Sequence, residues 1–274
     1  MPLARAGKAF GRVNLSQKTG LEVIGRRRGR AARATHEGDT MEANHQQTDD
    51  MFLPAERDAV YKCIFKRRDV RGQFLRDPIP DDILARLLRA AHHAPSVGFM
   101  QPWDFIVVRS AAIKRKIRDA FQTAHLEAAE MFEGERQQAY RALKLEGILE
   151  APIGICITCD RTRSGPVVIG RTHQLEMDRY SAVCAVQNLW LAARAENIGV
   201  GWVSILRQDD LRDALGIPPT IEPIAYLCVG YASYFYQEPE LETGGWLPRI
   251  PLTDAVWIDG WHVRNDSDPL FERL

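Results

Sequence analysis

EMDRYSAVCAVQNLWLAARAENIGVGWVSIL, residues 176–206, contains a long helical pattern followed directly by a strand pattern. The first part is apolar on most sides and predicts one long helix that stops at Gly199. Such a helix belongs at the centre of a domain or in a subunit interface, because a surface helix keeps one polar face. The segment GWVSIL that follows predicts a strand.

The patterns on either side of this stretch alternate between helix and strand. Helices are predicted for AERDAVYKCIFKR, PIPDDILARLLRAAHHA, residues 113–149 (one helix or two) and QDDLRDALG, and strands for Phe105–Val108, IGICITC and IAYLCVG. We therefore expect one mixed α/β domain over residues 51–274. Its last part, from about residue 235, is rich in Trp and Pro and predicts an extended arm.

Composition limits the class of protein. The chain has 274 residues, is 45% hydrophobic and contains no apolar run long enough to span a membrane. Its five cysteines are an odd number, scattered along the chain with no secretion signal ahead of them. We expect a soluble protein of the reducing cytoplasm with no disulfide framework.

Charge is distributed unevenly along the chain. The first 40 residues hold nine Lys or Arg and three Asp or Glu. The whole chain has 36 residues of each sign, so 27 basic and 33 acidic residues remain from position 41 onward. This part of the chain has a formal charge of 27 − 33 = −6. A body of this charge argues against general nucleic-acid binding. Residues 1–50 lack apolar periodicity and predict a disordered basic extension. An anion-binding arm, a targeting peptide, or a true start at Met41 or Met51 all remain open for it.

A second basic feature lies in FKRRDVRGQF, residues 65–74. Lys66, Arg67, Arg68 and Arg71 surround one acid, Asp69, at the predicted end of a helix. One interpretation is a solvated helix end with an internal salt bridge. The other is an anion site, because arginine binds phosphate through a planar fork of donors.

Motifs of other chemistries are absent or weak. Cys156 and Cys159 form a CxxC, but in a strand a three-residue offset points them to opposite faces, and no metal site is expected. His92 and His93 are adjacent on a helix and are interpreted as a cap or packing pair. The GxG of GVGW precedes a strand, and the chain has no P-loop, HExxH or GxSxG.

Four blocks in the same order carry a resemblance to a known family: RRDVRGQF, AHHAPSVGFMQPWDFIVV, the stretch of residues 176–206 and GGWLPRIPL. From about Met51 to about Leu252 the chain resembles the flavin-binding nitroreductase superfamily. Within it the blocks most resemble the subfamily that makes 5,6-dimethylbenzimidazole, the lower ligand of vitamin B12. The resemblance implies a homodimer with a mainly antiparallel central sheet flanked by helices. It also implies FMN at the dimer interface and a C-terminal arm exchanged between subunits.

The resemblance assigns a set of flavin-contacting residues. The arginines would surround the phosphate, ribityl chain and ring edge, and Gly201 and Ser204 would lie against the reacting edge. The full set is Arg67, Arg68, Asp69, Val70, Arg71, Ser96, Gln101, Gly201, Ser204 and Arg249.

Asp69 departs from the serine usual in nitroreductases. A carboxylate there repels a phosphate dianion by roughly 1 kcal/mol or more at 4 Å, so it is expected to point toward the ring and the adjoining ribityl carbon. The resemblance implies that reduced FMN is the substrate, supplied by a separate NAD(P)H flavin reductase. It reacts with molecular oxygen to give 5,6-dimethylbenzimidazole and erythrose 4-phosphate, with Asp69 and Ser204 catalytic. The plainer alternatives are an Asp69 ion pair with Arg68 or Arg71 and a Ser204 that only packs.

Residues 121–147 are more polar than a core helix. They predict either an exposed surface helix or a lid, with Met131 and Phe132 covering the ring to exclude water.

Three functional hypotheses remain. The first is the synthase, the second an NAD(P)H-dependent nitro- or quinone reductase that retains FMN, and the third a flavin-free protein whose basic head binds nucleic acid or an acidic partner. Asp69 and Ser204 favour the first.

Overall fold

A four-stranded antiparallel sheet forms the centre of the computed structural model, which describes residues 51–265 and 267–274. The strands are β1 (Trp103–Val108), β2 (Ile153–Asp160), β3 (Ile198–Val203) and β4 (Ile221–Tyr231), in the order β1-β2-β4-β3. All three strand pairs are antiparallel. The mixed α/β fold with a mainly antiparallel sheet is confirmed, and the predicted disorder of residues 1–50 lies outside the described residues.

Both faces of the sheet are covered, which explains why its strands have near-continuous apolar sequences. Seven of the eight residues of β2 are buried. Alternate side chains enter two separate cores: Ile155 and Ile157 pack in one, and Cys156 in the other with Tyr226 and Cys228.

Helices supply the two covering layers. They are α1 (Pro54–Lys66), α2 (Asp81–His92), α3 (Ala111–Ala129), α4 (Gly134–Ala142), α5 (Met177–Ala195) and α6 (Gln208–Leu215). Leu87 of α2 and Leu189 of α5 are fully buried in the first core, while Ile117 of α3 and Leu211 of α6 enter the second. The region 113–149 therefore forms two helices.

The end of α5 corrects one expectation. The helix ends at Ala195, and Gly199, predicted as its stop, lies inside β3. The chain reverses at Asn197, whose φ of 57° is left-handed, a conformation that asparagine tolerates at helix ends. Likewise β3 ends at Val203, so Ser204 follows the strand instead of lying in it.

The C-terminal region has little regular structure, as its composition predicts. It contains the four-residue helix α7 (Glu240–Thr243) and two short 3-10 turns at Leu252–Asp254 and Phe271–Arg273. Its exchange between subunits stays a prediction. No helix in the described part of the chain has both the length and the apolar character needed to cross a bilayer.

Candidate active site

The basic segment lies along the free edge of β3. Helix α1 ends at Lys66, and Arg67 turns into extended backbone. Asp69 then forms a parallel bridge with Val200, and the Val70 amide donates a hydrogen bond to the Val200 carbonyl at 3.0 Å. The sheet edge therefore fixes the backbone of the predicted anion site, and Val70 itself is buried in the core.

The arginines are held in place by neutral partners as well as by acids. The Arg68 guanidinium donates to the carbonyls of Phe65 and Arg67 at 2.8 and 2.7 Å, and to that of Gln237. The Arg67 guanidinium lies 4.6 Å from the centre of the Trp190 ring, a cation–π contact. These contacts orient the cations without cancelling their charge.

These side chains line a pocket of about 270 Å³. Four arginines and two carboxylates face it, together with aromatic and apolar groups. The lining is Arg67, Arg68, Asp69, Arg71, Trp190, Trp202, Pro239, Glu240, Leu241 and Arg249. The structure thus brings Arg249, the most distant residue predicted from the sequence, to the basic segment.

Asp69 is held on both carboxylate oxygens. Its Oδ1 accepts the backbone N–H of Trp202 at 3.0 Å, and its Oδ2 lies 3.0 Å from Nε and 2.7 Å from Nη2 of Arg71. Burial raises the pKa of this carboxyl, although Arg71 and the Trp202 amide oppose the shift. The ion pair with Arg71 considered in the sequence analysis is therefore present, and the Asp69 side chain, which lines the pocket, is 30% exposed.

Gly201 lets β3 and the basic segment approach each other closely. A Cβ at this position would lie 2.1 Å from the Val70 carbonyl oxygen and 3.7 Å from Asp69 Oδ1. Only glycine fits there, which explains its place beside the carboxylate.

The arginines of residues 67–71 are partly buried and lack some of their hydrogen-bond partners. Burial lowers the pKa of Arg67, and repulsion from Arg68 and Arg249 adds to that shift while Asp69 opposes it. Among the described residues, Arg68 Nε and Arg71 Nη1 are buried without a hydrogen-bond acceptor. A buried unsatisfied donor is unfavourable by about 1–3 kcal/mol, so these atoms fit a ligand rich in acceptor oxygens, such as a phosphate ester.

Sequence reasoning missed the acidic residues of the tail that meet the arginines. Glu238 lies 3.9 Å from Arg68, Glu240 lies 3.6 Å from Arg71, and Glu242 accepts the Arg249 amide at 3.2 Å. The signal was the acidic run QEPELET, residues 237–243, which complements the basic segment.

Three predicted site residues lie away from this pocket. Ser204 is exposed and lines neither the main pocket nor the small cleft at Gly201. Ser96 Oγ accepts the Gln101 amide at 3.1 Å, and Arg163 donates to the Gln101 carbonyl at 2.9 Å. No hydrogen bond or ion pair of the described residues joins this loop to residues 67–71.

The predicted lid, residues 121–147, comprises the C-terminal half of α3, the turn after it, α4 and the five residues that follow α4. Met131 at that turn is 80% exposed. Phe132 instead packs against Tyr140 and Trp246, with ring centroids at 5.0 and 5.4 Å, and Arg136 lies over the Trp246 ring at 4.8 Å. The lid region therefore contacts the tail segment that also carries Arg249.

The motifs interpreted as structural have structural partners. His92 Nδ1 accepts the Trp103 indole N–H at 3.1 Å, and His93 Nδ1 lies 2.7 Å from the Arg89 carbonyl. Cys156 and Cys159 are buried free thiols whose pKa burial raises to about 12. The described residues contain no group of ligands that could hold a metal ion.

Comparison with known proteins gives a consistent result. The sequence model of the Nitroreductase family matches residues 64–231. A curated 5,6-dimethylbenzimidazole synthase of Rhodospirillum rubrum is 42% identical over 75% of this chain and 97% of its own length. One from Rhodobacter capsulatus is 36% identical over 73% and 96%.

Solved structures agree on the fold. Iodotyrosine deiodinase, solved with bound FMN and 3-iodo-L-tyrosine, superposes with a TM-score of 0.55 at 23% identity, covering 65% of this chain and 91% of that one. The chain therefore belongs to the nitroreductase family of oxidoreductases, in the group that contains the curated 5,6-dimethylbenzimidazole synthases.

Proposed function

We propose that this chain catalyses the oxygen-dependent fragmentation of reduced FMN to 5,6-dimethylbenzimidazole and erythrose 4-phosphate, which supplies the lower ligand of vitamin B12. The observation that carries the proposal is Asp69, a carboxyl of raised pKa inside a pocket lined by four arginines. The names of the chain's relatives point the same way, since three of them are 5,6-dimethylbenzimidazole synthases that this chain covers almost completely.

The pocket suits the phosphate and ribityl end of the flavin. Arg67, Arg71 and Arg249 present charge to the cavity, and the unsatisfied Arg68 Nε and Arg71 Nη1 would gain acceptors. Charge-assisted hydrogen bonds of this kind are about twice as strong as neutral ones. We assign the backbone at Val70 and Gly201 to the ring side, because both lie beside the Asp69 carboxylate that we expect to face the ring.

Asp69 is the group we assign to proton transfer at the ribityl carbon next to the ring. Its orientation is fixed by the Trp202 amide and by Arg71, so little reorganisation is needed when a substrate binds. A raised pKa brings a carboxylate base closer to the working pH, and a positioned base contributes about 10²- to 10⁴-fold. Reduced flavin supplies the electrons for O2 and the carbon atoms of both products, and the remaining pyrimidine half of its ring system leaves as a third, oxygenated fragment.

Ser204 is the second group proposed to act on the flavin, as a hydroxyl that relays protons. It follows β3 two residues after Trp202, whose amide holds Asp69. Its exposure in the single chain is consistent with a site completed by another surface.

A homodimer would complete the site. We assign Ser96 and Gln101 to the flavin bound mainly by the opposite subunit, because in one chain they lie apart from the arginines. Extensive exposed apolar surface supports association: none of the thirteen described residues of α1 is buried, and Tyr61 and Phe65 are 52% and 66% exposed.

The substrate would arrive already reduced, from a separate NAD(P)H-dependent flavin reductase, and molecular oxygen is the co-substrate. We place the reaction in the cytoplasm, where the five free cysteines of the chain would stay reduced. The formal charge of −6 from residue 41 onward gives no support to a nucleic-acid partner.

The test is a single-turnover experiment. The purified protein is loaded with reduced FMN without oxygen, air is admitted, and 5,6-dimethylbenzimidazole and erythrose 4-phosphate are measured by chromatography. The proposal expects both products in equal amounts. Intact FMN recovered from the native protein, together with steady oxidation of NAD(P)H by a nitroaromatic, would replace it with the reductase hypothesis.

A further inference from the structure

We propose that Glu240 is an internal counter-anion that takes the place of the ligand's phosphate on Arg71 and thereby promotes release of the phosphorylated product. This inference rests on the proposed function. It extends that function by naming the residue that governs phosphate retention.

Glu240 is the second carboxylate of the arginine pocket. It lies on α7 in the tail, faces the cavity beside Arg71 and Arg249, and is 27% exposed. Asp69 contacts Nε and Nη2 of Arg71, and Nη1 is the guanidinium nitrogen that lacks a hydrogen-bond partner. Glu240 Oε2 lies 3.6 Å from that Nη1.

This distance gives an ion pair without a hydrogen bond, since 3.6 Å exceeds the hydrogen-bond range. Among the described residues, Arg71 Nη1 and Glu240 Oε2 are both buried without a hydrogen-bond partner. The contact therefore neutralises charge but leaves a donor and an acceptor unsatisfied. A ligand oxygen at hydrogen-bond distance from Nη1 would make the better contact and repel the Glu240 carboxylate.

The helix that carries Glu240 is short and ends at a glycine pair. It has four helical residues, followed by Gly244 and by Gly245 with a φ of 72°. Displacement of the carboxylate therefore requires only a local change in the tail.

A carboxylate that competes with the phosphate is useful if FMN is consumed as a substrate. A resident flavin can keep its phosphate bound indefinitely, whereas a fragmented flavin leaves that phosphate on a product that must depart at every turnover. A carboxylate that returns to Arg71 as the phosphate leaves lowers the barrier to release, because the Nη1 side of the guanidinium, which Asp69 does not contact, then keeps a facing anion.

The test compares ligands with and without phosphate. Affinities of oxidised FMN, riboflavin and inorganic phosphate are measured by flavin fluorescence and competition for native protein, Glu240→Gln, Glu240→Asp and Glu238→Gln. Glu240→Gln should bind FMN and phosphate about twofold to fivefold more tightly with riboflavin unchanged, a range set by the roughly 0.2–1 kcal/mol that a partly exposed ion pair contributes. Glu240→Asp, which keeps the charge, should stay near native.

Glu238→Gln is the matched control, because it makes the same charge change in the same segment at a side chain that is 64% exposed. An unchanged or weaker FMN affinity in Glu240→Gln, or an equal gain for riboflavin, would overturn the inference. Thermal melting checks that each variant is folded. The binding measurements use oxidised flavin, which does not react. Their outcome is therefore independent of the product assay that tests the proposed function.

Discussion

The backbone N–H of Trp202 donates a hydrogen bond to Asp69 Oδ1 at 3.0 Å, across 133 residues of sequence. This bond joins the basic segment to β3 and sets the direction of the carboxylate. The opposite oxygen is held by Arg71, so the group is aimed by one neutral and one charged donor. A carboxylate held in this way is suited to receive a proton at a defined position.

Asp69→Asn should abolish most product formation and leave flavin bound. The amide keeps the shape of the side chain but cannot act as a base. The rate of product formation in a single turnover should therefore fall by about 10²- to 10⁴-fold. Asp58→Asn, at a side chain 67% exposed and paired with Arg57, is the matched control and should react normally. A near-native rate in Asp69→Asn would show that the Asp69 carboxylate is not the base and that its role is the ion pair with Arg71.

The pH dependence of the reaction should report the same group. Burial raises the pKa of Asp69, so its carboxylate form is present above the raised pKa and is lost as the pH falls through it. Product formation from bound reduced FMN should therefore decline on acidification at a pH above about 3.9, the ordinary value for aspartate. The acid limb is measured by single turnovers across pH, and the residual reaction of Asp69→Asn should lack it. A native limb at or below the ordinary value would contradict this assignment.

Gly201→Ala should weaken flavin binding and lower stability. The new Cβ would lie 2.1 Å from the Val70 carbonyl oxygen, a backbone atom that cannot swing aside, so the Asp69–Val70 segment must move. Overpacking of this kind typically costs about 1–3 kcal/mol in the free energy of unfolding. Denaturant unfolding and FMN titration measure the two effects.

Gly72→Ala is the control for that variant. It lies in the same segment, and its added Cβ would meet only the Lys144 side chain at 3.9 Å. Equal losses in both variants would mean that the segment is sensitive to any substitution and that the approach of Gly201 has no special role.

The sequence predicted the elements well because their signals are local. The apolar run of β2 and the amphipathic face of α2 depend on residues close together in the chain. The end of α5 was misplaced because Gly199 is a common stop signal, while the actual reversal uses a left-handed Asn197.

The site was predicted only in part, because some of its residues lie far apart in the sequence. Arg67, Arg71 and Asp69 are neighbours in sequence, and Arg249 was reached through the resemblance. Glu240 was missed because an acidic run in a tail has no local pattern that identifies its partner. Its role depends on a contact over 169 residues that only the folded chain supplies.

Trp246 should couple the lid region to the site. Its ring packs on Phe132 and Tyr140 at centroid distances of 5.4 and 6.2 Å, and the tail just before and after it carries Glu240 and Arg249. Trp246→Ala removes these aromatic contacts, each worth about 0.5–1.5 kcal/mol beyond its buried area, and should weaken FMN binding and speed proteolytic cleavage of the tail. Trp246→Phe should restore most of both properties. Trp261→Ala, at a side chain 81% exposed, serves as the control. Native FMN affinity and native protease resistance in Trp246→Ala would show that the tail is held at the pocket without this cluster.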